Sequence, residues 1–134
     1  MELKNRALDA AEFRLVLTPD REASFRATQA VRERFRTLTE TTRKNLAAVL
    51  TELVENSVER GPGRPITLTL VLRADSIRGE VADHGNPVGP IPQIKSRGER
   101  NGDSPALIET LTSRWGVYEG TTDVWFEIPL AHQA

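Results

Sequence analysis

The stretch that decides the fold is LAAVLTELVENSVERG, residues 46–61, whose apolar positions recur at the spacing of one helix face. We predict an amphipathic helix that runs to about Arg60 and is begun by a cap at Thr39 or Thr41. The Gly-Pro pair at residues 61–62 is typical of a helix end. The predicted core face of this second helix consists of Leu46, Val49, Leu50 and Leu53.

The same helix carries polar residues that are candidates for chemistry. Glu52 and Asn56 are four residues apart and therefore share a face, and Glu55 and Glu59 lie within about 60° of Glu52. A carboxylate beside an amide oxygen can position a hydroxyl or a water molecule, and it can contribute oxygen ligands to a hard divalent ion. The alternative is an ordinary solvated stripe, because Glu is common on helix surfaces.

Alternation and helical spacing predict elements on both sides of this helix. The predicted strands are Glu12–Thr18, Pro65–Ala74, Ile77–Ala82, Arg114–Tyr118 and Val124–Leu130, and the other helices are Asp20–Leu38 and Pro105–Thr112. The order is βααββαββ. It favours an α+β fold, a two-layer sandwich of a mixed or antiparallel sheet with its helices on one face. The stretch at about 84–104 is rich in glycine and proline and is predicted to be a lid or binding loop within one domain, residues 1–134.

Composition excludes several classes of protein. With 18 basic and 19 acidic residues the formal net charge is -1, which disfavours a nucleic-acid or membrane-surface binder. There are no cysteines, so disulfides and thiolate chemistry are excluded. The two histidines, His84 and His132, are not near an obvious set of further ligands, which disfavours a zinc site. No apolar run has the length of a signal peptide core or a membrane span, and a cytoplasmic location is expected.

A second candidate segment, GEVADHG, residues 79–85, ends a predicted strand. Asp83 at that strand end could accept a hydrogen bond from an exocyclic amine, and Gly85 would let the backbone approach a flat ring closely. The alternative is an ordinary turn, since Asp and Gly are common turn residues.

The first helix carries a second stripe beside its core stripe, formed by Arg21, Phe25, Arg32 and Arg36. An aromatic residue among arginines is a composition favoured at protein interfaces, and an acidic partner would suit it. Alternatively, the arginine stems cover the edge of the core and Phe25 is partly tucked beneath them.

Taken together, the order and spacing of these motifs resemble the GHKL (histidine kinase-like) ATP-binding fold. The likeness is greatest to the small anti-sigma factor serine-protein kinases of bacteria. It spans nearly the whole chain, through FRLVLTPDREA, LAAVLTELVENSVERG, GEVADHG, LIETLTSRWGV and VWFEIPL. No phosphoacceptor-histidine helix precedes these motifs, so a complete sensor kinase is not expected.

The resemblance implies specific roles at a nucleotide site. Glu52 would be the catalytic base, Asn56 would hold Mg²⁺ against the phosphates of ATP, and Asp83 would bind the adenine amine with Gly85 beside the base. The further residues that the resemblance assigns to nucleotide binding are Gly102, Thr121 and Thr122. The lid cations Lys95, Arg97 and Arg100 are candidate phosphate partners, and the alternative is that they are ordinary solubilising charges on a loop.

The resemblance also implies a regulatory protein of transcription with protein partners. It would sequester a sigma factor, phosphorylate a serine of an antagonist protein and make no direct contact with nucleic acid or membrane. The stripe on the first helix would be a partner surface, and the edge strand Glu12–Thr18 would allow a homodimer.

Three departures from the family pattern fall on the nucleotide site. Pro87 follows the Asp-x-Gly motif, Pro105 opens the helix after the lid beside Asp103, and Asp123 stands where a threonine is usual. Proline offers no N–H to a phosphate, and an added carboxylate repels one. They favour the alternative, a catalytically degenerate GHKL-like module that binds a protein partner with weak or no ATP binding.

Overall fold

Five strands and three helices form the described part of the chain, which comprises residues 12–60, 64–83 and 104–130 of a computed structural model. The strands are β1 (Glu12–Leu17), β2 (Ile66–Leu72), β3 (Ser76–Ala82), β4 (Arg114–Val117) and β5 (Val124–Pro129), and the helices are α1 (Ala23–Arg34), α2 (Glu40–Arg60) and α3 (Ser104–Leu111). The predicted order of elements is confirmed. The first helix is shorter than predicted, because Phe35 leaves helical geometry with φ -116° and ψ 55°.

The strands form one open sheet in the order β1-β2-β3-β5-β4, and every neighbouring pair is antiparallel. Alternate residues of β2, β3 and β5 are buried, so one face of the sheet carries the core. Helix α2 contacts β3, β5 and the other two helices, and α1 contacts β1. The predicted α+β fold is therefore confirmed, and its sheet is antiparallel throughout the described residues.

Helix α2 contributes the centre of the core. The four predicted apolar positions are all 1% exposed or less: Leu46, Val49, Leu50 and Leu53. The helix begins after Thr39, whose Oγ1 accepts a hydrogen bond from the N–H of Thr42 at 3.2 Å. Of the two threonines predicted as caps, Thr39 is the one that does so.

Several predictions lie outside the described residues. They include most of the lid at about 84–104, with Gly85, Gly102 and the three lid cations. Across residues 12–60, 64–83 and 104–130, no helix is long and apolar enough to cross a membrane.

Gly79 of β3 lies in a tightly packed part of the core. A Cβ at this position would lie 2.3 Å from Cζ of Phe126 and 2.8 Å from Cδ2 of Leu70. Neither neighbour is at the surface, so we expect Gly79→Ala to lower the free energy of unfolding by about 2–3 kcal/mol through overpacking. Chemical denaturation measures this change.

Gly120 provides the control, since its φ is +78° and nothing lies within 4 Å of an added Cβ. Gly120→Ala should cost about 1 kcal/mol from backbone strain alone. A Gly79→Ala protein that is as stable as the Gly120→Ala protein would contradict the packing described for β3.

Candidate functional site

Asp83 and Thr122 form a buried polar pair at one end of the sheet. The β3–β5 ladder ends with Val81 opposite Val124, and the two polar residues continue it on the helix-covered face. Asp83 is 2% exposed and Thr122 is 4% exposed. Oγ1 of Thr122 donates a hydrogen bond to Oδ1 of Asp83 at 2.5 Å. An aspartate that served only as a surface turn residue would not be buried in this way.

The C-terminal part of α2 is connected to the same end of the sheet. Thr67 of β2 pairs with Ala82, the last residue of β3, so β2 begins at this end of the sheet, at Ile66. Five residues link Arg60 to Ile66, so the end of α2 lies within about 20 Å of this sheet end. Asn56 is one helical turn before Arg60, in the part of α2 that the chain connects to this end of the sheet.

Asn56 is the polar residue of α2 that is withdrawn from solvent. It is 4% exposed, and its Nδ2 is buried without a hydrogen-bond acceptor in the described structure. Leaving a buried amide donor unsatisfied costs about 1–3 kcal/mol. A water molecule or the acceptor atom of a ligand would satisfy this donor.

The polar stripe predicted on α2 divides into two parts. Glu52 is half-buried one turn before Asn56, and the unbroken helix places both residues on one face. Glu55 and Glu59 are exposed, and Oε2 of Glu55 accepts a hydrogen bond from Oγ of Ser24 at 3.1 Å, which links α2 to α1. The alternative of an ordinary solvated stripe therefore fits Glu55 and Glu59, and it does not fit Asn56, which is buried.

The two threonines that the sequence analysis grouped together have different positions. Thr121 belongs to the β4–β5 hairpin, where its Oγ1 donates to the carbonyl of Tyr118 at 2.8 Å and accepts from the N–H of Asp123 at 3.0 Å. Thr122 faces Asp83. The threonine beside the strand-end aspartate is thus Thr122, one residue before Asp123, and Thr121 closes the turn.

The chemistry available at this end of the sheet is that of polar side chains that are largely withdrawn from solvent. Asp83 and Thr122 offer a fixed carboxylate and hydroxyl, Asn56 offers an amide, and Glu52 offers a carboxylate that water can reach. Within residues 12–60, 64–83 and 104–130, no three His, Asp or Glu side chains converge as a metal site. A divalent ion would therefore need oxygens of a bound ligand in addition to the side-chain oxygen of Asn56.

The opposite face of the sheet carries a polar cluster that the sequence analysis did not identify. Glu127 accepts hydrogen bonds from Arg78 at 3.2 Å and from Arg114 at 3.1 Å. Both guanidinium groups also lie over the ring of Trp125, at 4.7 Å and 5.7 Å from its centroid. Gly116 leaves room for that ring, since a Cβ there would be 3.0 Å from the indole Nε1. Alternation of these residues along β3 and β5 was the available signal.

The stripe predicted on the first helix is exposed. Phe25 is 63% exposed, so the alternative in which it is tucked beneath arginine stems is wrong. Arg21, Arg32 and Arg36 are also exposed, although the first and last lie outside α1. Phe25 borders a groove of about 420 Å³ beside edge strand β1.

Comparison with known proteins identifies no relative: no family model and no curated protein matches this sequence. What is established is the α+β fold, an open antiparallel sheet of five strands packed with helices. The roles of the residues at the sheet end therefore have to be argued from the geometry of this chain.

Asn56→Leu tests whether the buried amide is kept for function. Removing an unsatisfied donor while keeping a similar volume should raise the free energy of unfolding of the ligand-free protein by about 1 kcal/mol. Asn45→Leu, at a half-buried position of the same helix, is the matched control and should give no such gain. A loss of stability in the Asn56→Leu protein would show that the amide is satisfied in solution.

The outer cluster predicts a pH dependence of stability. Hydrogen bonds from Arg114, and then from Arg78, hold the pKa of Glu127 below its ordinary value. The stabilisation is fully present above the unfolded-state pKa, about 4.5, and is lost as the pH falls through the lower folded-state pKa. Glu127→Gln should therefore lower stability at pH 7 and flatten its decline in acid, as measured by urea unfolding between pH 7 and pH 3. Glu12→Gln, an exposed residue at the far edge of the same sheet face, should leave both unchanged.

Proposed function

We propose that this chain is an ATP-binding regulatory protein of the GHKL type, similar to the anti-sigma factor serine-protein kinases. It would bind ATP with Mg²⁺, transfer the γ-phosphoryl group to a serine of an antagonist protein and sequester a sigma factor. One observation carries the proposal: Asn56 is a buried, unsatisfied amide on α2, the helix that packs on β3 and β5, and the buried pair Asp83–Thr122 lies where the pairing of those two strands ends.

The buried pair supports adenine recognition. A carboxylate held in place by a threonine hydroxyl presents a fixed acceptor for an exocyclic amine, and burial strengthens that hydrogen bond. Asp83 is 2% exposed and follows a strand whose preceding residues pack in the core. A ligand whose matching position carries a carbonyl, as guanine does, would place an acceptor against an acceptor and is disfavoured.

The α2 residues support the phosphoryl-transfer step. Asn56 would use its oxygen on Mg²⁺, which when bound supplies charge neutralisation at the triphosphate, and its amide would donate to a phosphate oxygen. Glu52, one turn away and within reach of solvent, would orient the serine hydroxyl and accept its proton. The hydroxyl oxygen then bonds to the γ-phosphorus as the bond to the β-phosphate oxygen breaks, and ADP leaves.

A degenerate module that only holds a protein partner is the second candidate. It is favoured by the exposed stripe around Phe25 and by the sequence departures at Pro87, Pro105 and Asp123. Asp123 adds a carboxylate next to Thr122, which would weaken the attraction for a triphosphate. Strand β1 is an edge of the described sheet, so a second copy of the chain could pair along it.

Thermal unfolding with and without Mg-ATP distinguishes the two candidates. Nucleotide at about 100 times its dissociation constant should stabilise the protein by roughly 2.7 kcal/mol. The shift should be reduced in Asp83→Asn and absent in Asn56→Leu, and Mg-GTP should give little of it. No shift at millimolar Mg-ATP would refute the kinase and leave the binding module.

Glu52→Ala separates binding from transfer. We expect phosphoryl transfer from radiolabelled ATP to a purified antagonist protein to be abolished, while the Mg-ATP shift in unfolding temperature stays. Glu59→Ala, which removes an exposed carboxylate from the same helix, should transfer at the wild-type rate. Unchanged transfer by the Glu52→Ala protein would refute the role of Glu52 as the base.

A further inference from the structure

A cleft of about 280 Å³ lies between α1 and the first two turns of α2, and we call it the basic cleft. Its floor includes Val31, which is 2% exposed. Three of its lining side chains are cationic and one is acidic. The lining residues are Thr28, Val31 and Arg32 of α1 and Glu40, Arg43, Lys44 and Ala47 of α2.

The cations of the basic cleft are not neutralised within the described structure. Arg32 and Lys44 make no ion pair or side-chain hydrogen bond with any residue among 12–60, 64–83 and 104–130. Nη1 of Arg43 donates to the carbonyl of Leu38 at 3.5 Å, which is a neutral acceptor. Glu40 is the single carboxylate among the described lining residues, and these residues together carry two more positive than negative charges.

The backbone adds to this positive potential. The cleft lies at the N-terminal end of α2, where the helix dipole is positive. The hydroxyl of Thr39 accepts from the N–H of Thr42 and thereby fixes the first turn in place. The backbone part of this positive potential is therefore fixed in place, which lowers the entropy cost of binding an anionic partner.

Phe25 extends the surface beyond the cleft. It precedes Arg32 by seven residues, so the two lie on one face of α1 about 10 Å apart. Phe25 is 63% exposed and offers an apolar contact beside the positive potential. The combination matches a partner that carries carboxylates and, two helical turns away, an apolar side chain.

We propose that the basic cleft binds an acidic helical segment of a protein partner, with carboxylates at Arg32, Arg43 and Lys44 and an apolar side chain against Phe25. The proposal rests on the partner-binding half of the proposed function and does not require nucleotide binding. A protein segment is favoured over a small anion because Glu40 opposes a compact, multiply charged group. Inorganic phosphate also has no apolar group that could contact Phe25, whereas a protein segment has.

The probe is a fluorescein-labelled, helix-forming 14-residue peptide with glutamates at i, i+3 and i+4 and one leucine seven residues from the first glutamate. Fluorescence anisotropy with the full chain measures its dissociation constant. We expect Lys44→Glu to weaken binding at least tenfold, and Arg73→Glu, which makes the same charge change at an exposed turn, to weaken it less than twofold. Phe25→Ala should weaken this peptide several-fold and leave a peptide with alanine in place of leucine unaffected.

Three outcomes would overturn the proposal. They are absence of peptide binding, equal losses in Lys44→Glu and Arg73→Glu, and full displacement of the peptide by 20 mM inorganic phosphate, which would make the cleft a small-anion site. The Mg-ATP shift in unfolding temperature, measured on the same Lys44→Glu protein, separates this test from the nucleotide site. If the Lys44→Glu protein keeps the Mg-ATP shift and loses peptide binding, the two sites are independent. If the wild-type protein binds the peptide and shows no Mg-ATP shift, the proposal for the basic cleft is supported and the kinase is refuted.

Discussion

The packing of α2 against the inner face of the sheet is the constraint on which the other features depend. Five apolar side chains of this helix are 1% exposed or less, and its contacts reach β3, β5, α1 and α3. Each such side chain contributes about 1.5–3 kcal/mol on burial, so the helix cannot rotate about its axis without losing much of the core energy. The orientation of the helix about its axis, which this packing fixes, also determines which polar residues face inward. Asn56 is buried and Glu52 half-buried because the apolar face beside them is anchored.

The outer face of the sheet is stabilised differently, because no helix is seen to cover it in the described residues. Glu127 is 15% exposed, and it is shielded by two guanidinium groups that also lie over Trp125. Charged and aromatic side chains here do what apolar packing does on the inner face, namely exclude water from the strand backbones. This arrangement keeps β5 between β3 and β4. It thereby keeps Thr122, which precedes β5, opposite Asp83.

The order of elements and the core face of α2 follow from local patterns that act within about ten residues, and these were predictable, whereas the sequence left open whether the sheet is mixed or antiparallel. The pairing of β5 with β3, with β4 at the edge, depends on long-range contacts that no local pattern encodes. For this reason the sequence indicated Thr121 and Thr122 equally, and the sheet register is needed to select Thr122. Likewise the exposure of Phe25 depends on where α1 meets β1, whereas its helical spacing alone allowed either position. Gly85 and Gly102 stay predictions, since they lie outside the described residues.

The net charge of -1 hides two surfaces of opposite character. Residues 1–45 carry ten basic and seven acidic side chains, and residues 46–134 carry eight and twelve. The two excesses lie in different parts of the structure. The basic excess includes the cations of the basic cleft between α1 and the start of α2, and the acidic excess includes Glu52, in the second half of α2, and Asp83. At 1.5 Å per residue, Lys44 lies about 12 Å from Glu52 and about 18 Å from Asn56 along the helix axis, which exceeds the Debye length of about 8 Å at physiological ionic strength, so exposed charges at the two places are largely screened from each other. The proposed acidic partner and the proposed phosphate-bearing ligand would therefore bind without strong electrostatic competition, and α2 is the element that their two sites would share.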